Sequence, residues 1–163
     1  MSDKFGMYAV IADDLTGAGD AGVQFAQAGL KTCALMGDWS GSPAEGADVV
    51  VINTDSRALT PKAAYGAVAE AASRLRDVGA RPVYKKIDST MRGPVGAEVD
   101  AVLDVFEQPM AVVCPAFPDN GRVVVVDAMT SGDLETIVKA TASMRDRVLL
   151  GGSGGLGHAV GGG

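Results

Sequence analysis

The segment Met7-Tyr8-Ala9-Val10-Ile11-Ala12-Asp13-Asp14-Leu15-Thr16-Gly17-Ala18-Gly19-Asp20 joins an apolar run to a polar turn that contains glycine. A short run that is apolar at nearly every position predicts a strand buried on both faces, and the turn predicts the start of a helix. Carboxylates at such a junction can hold Mg²⁺ or accept a proton from a hydroxyl, and the amides of a helix start can hold a phosphoryl group. The segment therefore indicates phosphate chemistry on an alcohol.

The same alternation of short apolar runs and helical patterns continues along the chain. Predicted strands cover residues 7–12, 32–36, 49–53, 82–87, 110–114, 123–127 and 147–150. Predicted helices cover residues 17–28, 61–78, 95–106 and 132–143, with a weak one at 156–160. Apolar strands that alternate with helices are typical of a parallel sheet covered on both faces. We therefore predict an α/β fold of three layers, with a mostly parallel sheet and helices on both faces.

Size and composition are those of a globular protein of one main domain. The 163 residues are 47% hydrophobic and 21% charged, with a formal net charge of −6. This charge argues against nucleic acid and against a membrane surface as partners, because both favour a basic face. Cys33 and Cys114 lie in apolar runs with no secretory leader, which predicts reduced thiols and a cytoplasmic protein. A homodimer is left open.

The last thirteen residues differ in composition from the rest. Eight of the residues 151–163 are glycine. Such a segment is typical of a flexible tail or a hinge. We therefore assign residues 1–150 to the α/β domain and residues 151–163 to a tail or a hinge to a further domain.

Polar side chains follow several of the predicted strands. The strand ends read Asp13-Asp14, Thr54-Asp55-Ser56-Arg57 and Asp88-Ser89-Thr90-Met91-Arg92, whereas the opposite ends are plain turns. In open parallel sheets, ligands bind outside the carboxyl ends of the strands. We place the site at this edge, where arginines suit a carboxylate and hydroxyls suit a sugar. Strand alternation also predicts that Lys85 and Lys86 point to opposite faces, so that at most one of them serves the site.

Two glycine patterns leave an alternative function open. Gly17-Ala18-Gly19-Asp20-Ala21-Gly22 matches the G-x-G-x-x-G pattern of dinucleotide-binding proteins, and Asp38 follows the second strand. However, Asp13 and Asp14 precede the first glycine and would repel a pyrophosphate. Gly152-Ser153-Gly154-Gly155-Leu156-Gly157 is a second match that can form a phosphate nest, although no acidic partner follows it. The cofactor-binding candidates are Gly17, Gly19, Ser153 and Gly154. A dinucleotide-dependent oxidoreductase remains the alternative.

Four motifs occur in an order that resembles the four-carbon acid sugar kinase family. They are Ile11-Ala12-Asp13-Asp14-Leu15-Thr16-Gly17-Ala18-Gly19-Asp20, Thr54-Asp55-Ser56-Arg57, Lys85-Lys86-Ile87-Asp88-Ser89-Thr90-Met91-Arg92-Gly93, and Pro115-Ala116-Phe117-Pro118 followed by Gly121-Arg122. The resemblance implies phosphorylation of threonate, erythronate or oxo-tetronate at a primary hydroxyl, with ATP and Mg²⁺ as cofactors. It implies a catalytic cleft lined by Asp13, Asp14 and Asp20, with Asp20 weakly favoured as the base. It implies substrate contacts from Arg57, Lys86, Asp88, Ser89, Thr90 and Arg92.

The chain departs from this family in two ways that matter for function. Arg122 runs directly into Val123, where family members carry a longer segment. The family's C-terminal nucleotide-binding domain has no counterpart in the 163 residues. We therefore expect this chain to bind a sugar acid with little or no turnover by itself. A sugar-acid-binding fragment without any catalytic role is a second alternative.

Overall fold

A computed structural model describes residues 6–37, 46–114, 123–126, 128, 130–144 and 146–161. Seven strands form one sheet: β1 (Tyr8–Ala12), β2 (Thr32–Leu35), β3 (Val49–Asn53), β4 (Arg81–Lys86), β5 (Met110–Cys114), β6 (Val123–Val125) and β7 (Val148–Gly152). The helices of the described ranges are α1 (Leu15–Gln27), α2 (Pro61–Asp77), α3 (Val95–Val105), α4 (Ser131–Thr141) and α5 (Gly154–Gly161). Asp38, Phe117 and the Arg122–Val123 junction, which the sequence analysis named, fall wholly or partly outside the described residues.

All strand pairs of the sheet are parallel, in the order β2-β3-β1-β4-β7-β5-β6. From β1 the chain continues through α1 to β2, at one edge of the sheet. From β4 it continues through α3 to β5, toward the other edge. The neighbours β1 and β4 thus form the point where the winding direction reverses. Ligands of doubly wound sheets bind in the crevice beyond the carboxyl ends of such strands.

Two hydrophobic cores lie on the two faces of the sheet, which confirms the predicted three-layer α/β fold. Ile11 and Val50 face the core that α2 and α3 cover. The alternate residues Val10 and Val51 face the core that α1, α4 and α5 cover. Strands buried on both faces are apolar at most positions, as the sequences of β1 and β3 show.

The glycine-rich end of the chain differs from the flexible tail that we predicted. Gly151 and Gly152 belong to β7, and α5 follows at once. Leu156 on α5 is 1% exposed and packs in the core shared with α1 and α4. Burial of this side chain stabilises a helix that glycine disfavours on its own. The described part of residues 151–163 is therefore a helix of the domain, and a hinge function remains a prediction.

Membrane insertion finds no support among the described helices. None of them is both long enough and apolar enough to cross a bilayer.

Candidate functional site

The loops after β1, β3 and β4 meet at the carboxyl edge of the sheet, beside the β1–β4 crevice. Gly93, at the end of the third loop, has a φ of +92°, and a Cβ placed on it would lie 3.0 Å from the carbonyl oxygen of Arg57. A side chain at position 93 would therefore push the β3 and β4 loops apart. The glycine lets the two loops pack backbone to backbone, which brings their charged side chains together.

Arg57 is the centre of this cluster. Its Nε and Nη2 donate to the two carboxylate oxygens of Asp13 at 2.8 and 3.0 Å, and its Nη1 donates to Asp14 at 2.8 Å. Its Nη1 also lies 3.4 Å from Asp88 Oδ1. The hydrogen bond with Asp13 raises the pKa of Arg57 above its already high value. One guanidinium therefore holds carboxylates from the β1 and β4 loops in a fixed arrangement.

Asp88 organises the β4 loop through both of its oxygens. Oδ1 accepts from Arg92 Nη2 at 2.7 Å, and Oδ2 accepts from Arg92 Nε, the Thr90 hydroxyl and the Thr90 and Arg92 amides. Hydrogen bonds from Arg92 and then from Thr90 hold the pKa of Asp88 far below its usual range. Asp88 therefore stays ionised and is not suited to accept a proton near neutral pH.

The two arginines that the sequence assigns to the substrate are both engaged by aspartates in the structure. Their contact with a substrate carboxylate stays a prediction. Arg92 is still largely exposed, with 68% of its side chain accessible, whereas the Arg57 side chain is 20% accessible. Arg57 therefore organises the acidic loops, and Arg92 keeps an open edge toward solvent.

Lys85 and Lys86 point to opposite faces of the sheet, as strand alternation predicts. Lys85 Nζ lies 2.9 Å from Glu98 Oε2 on α3. Lys86 is 5% exposed, and its Nζ donates to the carbonyl oxygen of Ile87 at 2.9 Å. Among the residues that the structure describes, no carboxylate forms an ion pair with Lys86. The site therefore contains one buried ammonium group without an acidic partner.

Gly17 places this ammonium group at the start of α1. A Cβ on Gly17 would lie 2.7 Å from Asp14 Oδ1 and 3.2 Å from Lys86 Nζ, so only glycine leaves room for both groups. The Gly17 amide donates to Asp14 Oδ1 at 2.8 Å. Gly19 lies inside α1, with no atom within 4 Å of an added Cβ. The expected phosphate cradle at Gly17 and Gly19 is therefore not supported, because the amide of Gly17 is occupied by the N-cap Asp14.

Ser153 and Gly154 lie at the junction of β7 and α5, close to the end of β4. Ser153 O accepts from the Tyr84 hydroxyl at 2.6 Å, and also from the Gly157 amide at 3.2 Å. Nothing lies within 4 Å of a Cβ added to Gly154. The junction is thus anchored to β4 through Tyr84, and a nucleotide contact from it stays a prediction.

Asp20 and Ser89 are exposed and stand apart from the ion-pair cluster. In the described part of the chain, neither side chain makes a hydrogen bond or an ion pair with the cluster. Asp20 lies six residues after the N-cap Asp14, about 1.7 turns and roughly 9 Å farther along the axis of α1. It is the one predicted catalytic carboxylate whose oxygens are not already used by Arg57.

The described residues do not form a metal centre. No group of three or more histidine, cysteine, aspartate or glutamate side chains among them is placed to hold an ion. The carboxylates of Asp13, Asp14 and Asp88 are instead bound by Arg57. The residues present therefore do not fit a dedicated Mg²⁺ site.

The sequence analysis missed the buried residues that support the β3 loop. Ser56 Oγ donates to Glu98 Oε1 at 2.6 Å, and both residues are at most 1% exposed. Glu98 falls on the apolar stripe of α3 formed by Val95, Val99 and Val102. A glutamate in such a stripe was the signal available, because a buried charge requires a partner.

A shallow groove lies at the opposite edge of the sheet and carries no comparable chemistry. It is lined by Ala80, Arg81, Pro82, Phe106, Gln108 and Asp146. Its ion pair, Arg81 with Asp146, is exposed on both sides. The buried charges of the described residues instead gather at the carboxyl edge, which is where we place the site.

Comparisons with known proteins find related sequences over most of the chain. A family model described as a sugar-binding N-terminal domain matches residues 8–125. The chain is 46% identical over 114 residues to a D-threonate kinase of Salmonella typhimurium, covering 69% of this chain and 27% of that protein. It is 47% identical over 122 residues to a D-erythronate kinase of Heliobacterium modesticaldum, covering 71% and 27%. It is 36% identical over 119 residues to a 3-oxo-tetronate kinase of Escherichia coli, covering 71% and 31%. The alignments thus span less than a third of each relative.

Solved structures show the same fold. The chain is similar to a domain of unknown function from Bordetella bronchiseptica, solved with bound citrate as a domain-swapped dimer. The TM-score is 0.87 at 29% identity, and the match covers 96% of this chain and 55% of that one. A Haemophilus influenzae protein shares the fold with a TM-score of 0.82 at 23% identity, covering 94% and 55%.

Proposed function

The chain belongs to the four-carbon acid sugar kinase family as its sugar-binding N-terminal domain, and from this premise we propose that it holds the sugar acid that a longer kinase phosphorylates. The substrate would be a threonate, erythronate or oxo-tetronate. The reaction would transfer the γ-phosphoryl group of ATP to its primary hydroxyl.

The observation that carries this proposal is the buried Lys86 beside the β1–β4 crevice. A buried ammonium group without an acidic partner is costly, and an anionic ligand relieves that cost. The neighbouring Ser89, Thr90 and Arg92 are exposed and supply hydroxyl groups and a partly open guanidinium. Lys86 suits the carboxylate of a sugar acid, and the β4 loop suits its hydroxyls.

Two further findings support a small hydroxylated anion as the ligand. The named relatives act on four-carbon sugar acids, as their descriptions state. The Bordetella bronchiseptica structure holds citrate, which combines carboxylates with a hydroxyl as sugar acids do. We propose the same class of ligand here.

Among the carboxylates, we propose Asp20 as the base that accepts the proton of the substrate hydroxyl. Asp13 and Asp14 are occupied by Arg57, so their proposed role is to hold the loops of the catalytic cleft. A general base needs a free lone pair directed to the hydroxyl, which favours the unengaged Asp20. MgATP, bound by the remainder of a full-length protein, would supply the phosphoryl group.

Cellular location and assembly extend the proposal. Cys33 and Cys114 do not form a disulfide with each other, as expected in a reducing cytoplasm, where we propose to place the protein. A homodimer is proposed because the Bordetella bronchiseptica relative is described as a domain-swapped dimer. Light scattering coupled to gel filtration measures the mass directly, and a monomer at high micromolar concentration would contradict a dimer of this chain.

Calorimetry with the purified chain tests the proposed ligand. We expect D-threonate or D-erythronate to bind, and the matching uncharged polyols, threitol and erythritol, to bind at least tenfold more weakly, because they lack the charge that Lys86 complements. NAD and MgATP should bind more weakly than the acids, and no phosphorylated product should form. Binding of NAD without binding of either acid would support the dinucleotide alternative and overturn the proposal.

A further inference from the structure

A chain of buried polar contacts underlies the β3 loop, on the face of the sheet away from Lys86. Lys85 Nζ pairs with Glu98 Oε2 at 2.9 Å, and Glu98 Oε1 accepts from Ser56 Oγ at 2.6 Å. Thr54 Oγ1 lies 2.7 Å from Ser56 Oγ and 2.9 Å from the carbonyl oxygen of Ala12. These contacts link β4, α3, the β3 loop and the end of β1.

The residues at the centre of this chain are shielded from solvent. The side chains of Lys85 and Glu98 are 0% and 1% exposed, and Ser56 is 0% exposed. A buried ion pair contributes little net stability, because desolvation offsets the attraction of the charges. The role of the Lys85–Glu98 pair is instead to fix geometry: Lys85 holds Glu98 in place, and Glu98 holds Ser56.

We infer that Glu98 and Ser56 are positioning residues that fix Arg57 and, through it, the acidic cluster of the proposed sugar-acid site. Ser56 directly precedes Arg57, whose amide donates to Asp13 O at 3.2 Å. The hydroxyl of Ser56 donates a hydrogen bond to Glu98 on α3, while the Arg57 side chain donates to Asp13 and Asp14 in the β1 loop. We call the hydrogen bond from Ser56 to Glu98 the anchor of the β3 loop. Loss of this anchor would make the β3 loop more mobile and the position of the Arg57 guanidinium less well defined.

The β3 loop also contains a residue with an uncommon backbone conformation. Asp55, between Thr54 and Ser56, has a φ of +49°. Residues other than glycine adopt this backbone conformation infrequently, although aspartate does so more readily than most. The hydrogen bonds of Thr54 and Ser56, on both sides of Asp55, hold the loop that contains it.

Hydrogen exchange measured by NMR on the full chain tests the anchor without any ligand. The amides of Thr54 and Arg57 report on the loop, because they donate to Ala12 O and Asp13 O. For Ser56→Ala we expect both amides to exchange about tenfold faster, as loss of one hydrogen bond implies. Amides in the middle of β1 and β3 should be unchanged. Unchanged exchange at Thr54 and Arg57 would overturn the inference.

Two double variants separate positioning from stability. Lys85→Met with Glu98→Gln removes both charges but keeps an oxygen that can accept from Ser56, so exchange at Arg57 should stay within about threefold of wild type. Lys85→Met with Glu98→Leu removes the acceptor as well and should match Ser56→Ala. Equal exchange in the two double variants would contradict the anchor. Glu70→Gln, which breaks an exposed pair with Arg74 on α2, is the control and should change nothing at the loop.

Calorimetry then links the anchor to the site, and this step rests on the proposed function. Ser56→Ala should weaken D-threonate binding about tenfold with the core amides unchanged, whereas Lys85→Met with Glu98→Gln should keep an affinity close to that of the wild type. Wild-type chain that binds no sugar acid would defeat the proposed function alone, because the exchange data still decide the anchor. Wild-type affinity in Ser56→Ala would overturn the link between anchor and site.

Discussion

Lys85 and Lys86 are adjacent, of the same residue type and both buried, yet the structure gives them opposite surroundings. Lys85 faces α3 and is neutralised by Glu98. Lys86 faces α1, donates to a backbone carbonyl, and has no carboxylate partner among the described residues. The comparison teaches that burial alone does not assign a role to a lysine. The lysine that forms no direct ion pair among the described residues is the one that we propose to bind the ligand.

The largest expected effect is on the paired lysine. Lys85→Met leaves Glu98 buried without its partner, and we expect it to lower the free energy of unfolding by about 3–5 kcal/mol. Urea unfolding followed by circular dichroism measures this loss. Lys139→Met, which removes an exposed pair with Glu135, is the matched control and should change stability by less than about 1 kcal/mol. If Lys85→Met were as stable as the wild type, the ion pair with Glu98 would not distinguish Lys85 from Lys86, and the comparison would be wrong.

The unpaired lysine should respond in the opposite sense. Lys86→Met removes a buried charge that forms no direct ion pair among the described residues, so the free energy of unfolding should stay unchanged or rise. The affinity for D-threonate should fall by about 10–100-fold, because a charged hydrogen bond to the ligand is lost. Calorimetry and urea unfolding of the same preparation give both values. A variant that loses stability and keeps its affinity would make Lys86 a structural residue.

Two glycines of α1 test the surroundings of Lys86 more finely. Gly17→Ala places a methyl group against Asp14 Oδ1 and Lys86 Nζ, and should destabilise the protein by about 1–3 kcal/mol while weakening binding. Gly19→Ala meets no atom and should stabilise it by about 0.5–1 kcal/mol. Thermal unfolding of the pair measures the contrast. Equal effects at the two positions would mean that Lys86 and Asp14 do not crowd Gly17.

The smallest expected effect is a pH dependence at Asp88. Its pKa is lowered in the folded state, so the unfolded chain takes up a proton first as the pH falls below about 4. The stability that Asp88 contributes is therefore fully present above that pH and declines in more acidic solution. Asp88→Asn should be less stable at pH 6 and should lose less stability between pH 5 and pH 3. Urea unfolding across this range gives the slopes, and identical slopes would contradict the lowered pKa.

The sequence predicted the sheet well because its strands are buried on both faces. The predicted bounds of β3 and β5 agree with the structure at every residue, since turn residues flank an uninterrupted apolar run. For α5 the sequence predicted only a weak helix over residues 156–160 in a segment rich in glycine, whereas the helix spans Gly154–Gly161 and packs through Leu156. Local pattern is informative where burial is uniform, and less so where a single contact sets the fold.

The sequence predicted that the charged loops converge at one edge of the sheet, but not how their charges pair. Arg57 and Asp13 are separated by 44 positions in sequence, and nothing local indicates that they bind each other rather than a ligand. The same limit applies to Glu98 and Ser56, separated by 42 positions. Which charges neutralise one another is a property of the folded chain. The sequence indicates only that they converge.

The most direct test of the account is an NMR titration of the isotope-labelled chain with D-threonate. The account predicts shift changes in the amides of residues 13–17, 54–57 and 86–92, which border the β1–β4 crevice, and loss of these changes in Lys86→Met. Shift changes confined to the opposite edge around Arg81 and Asp146, or the same response in Lys86→Met, would contradict it.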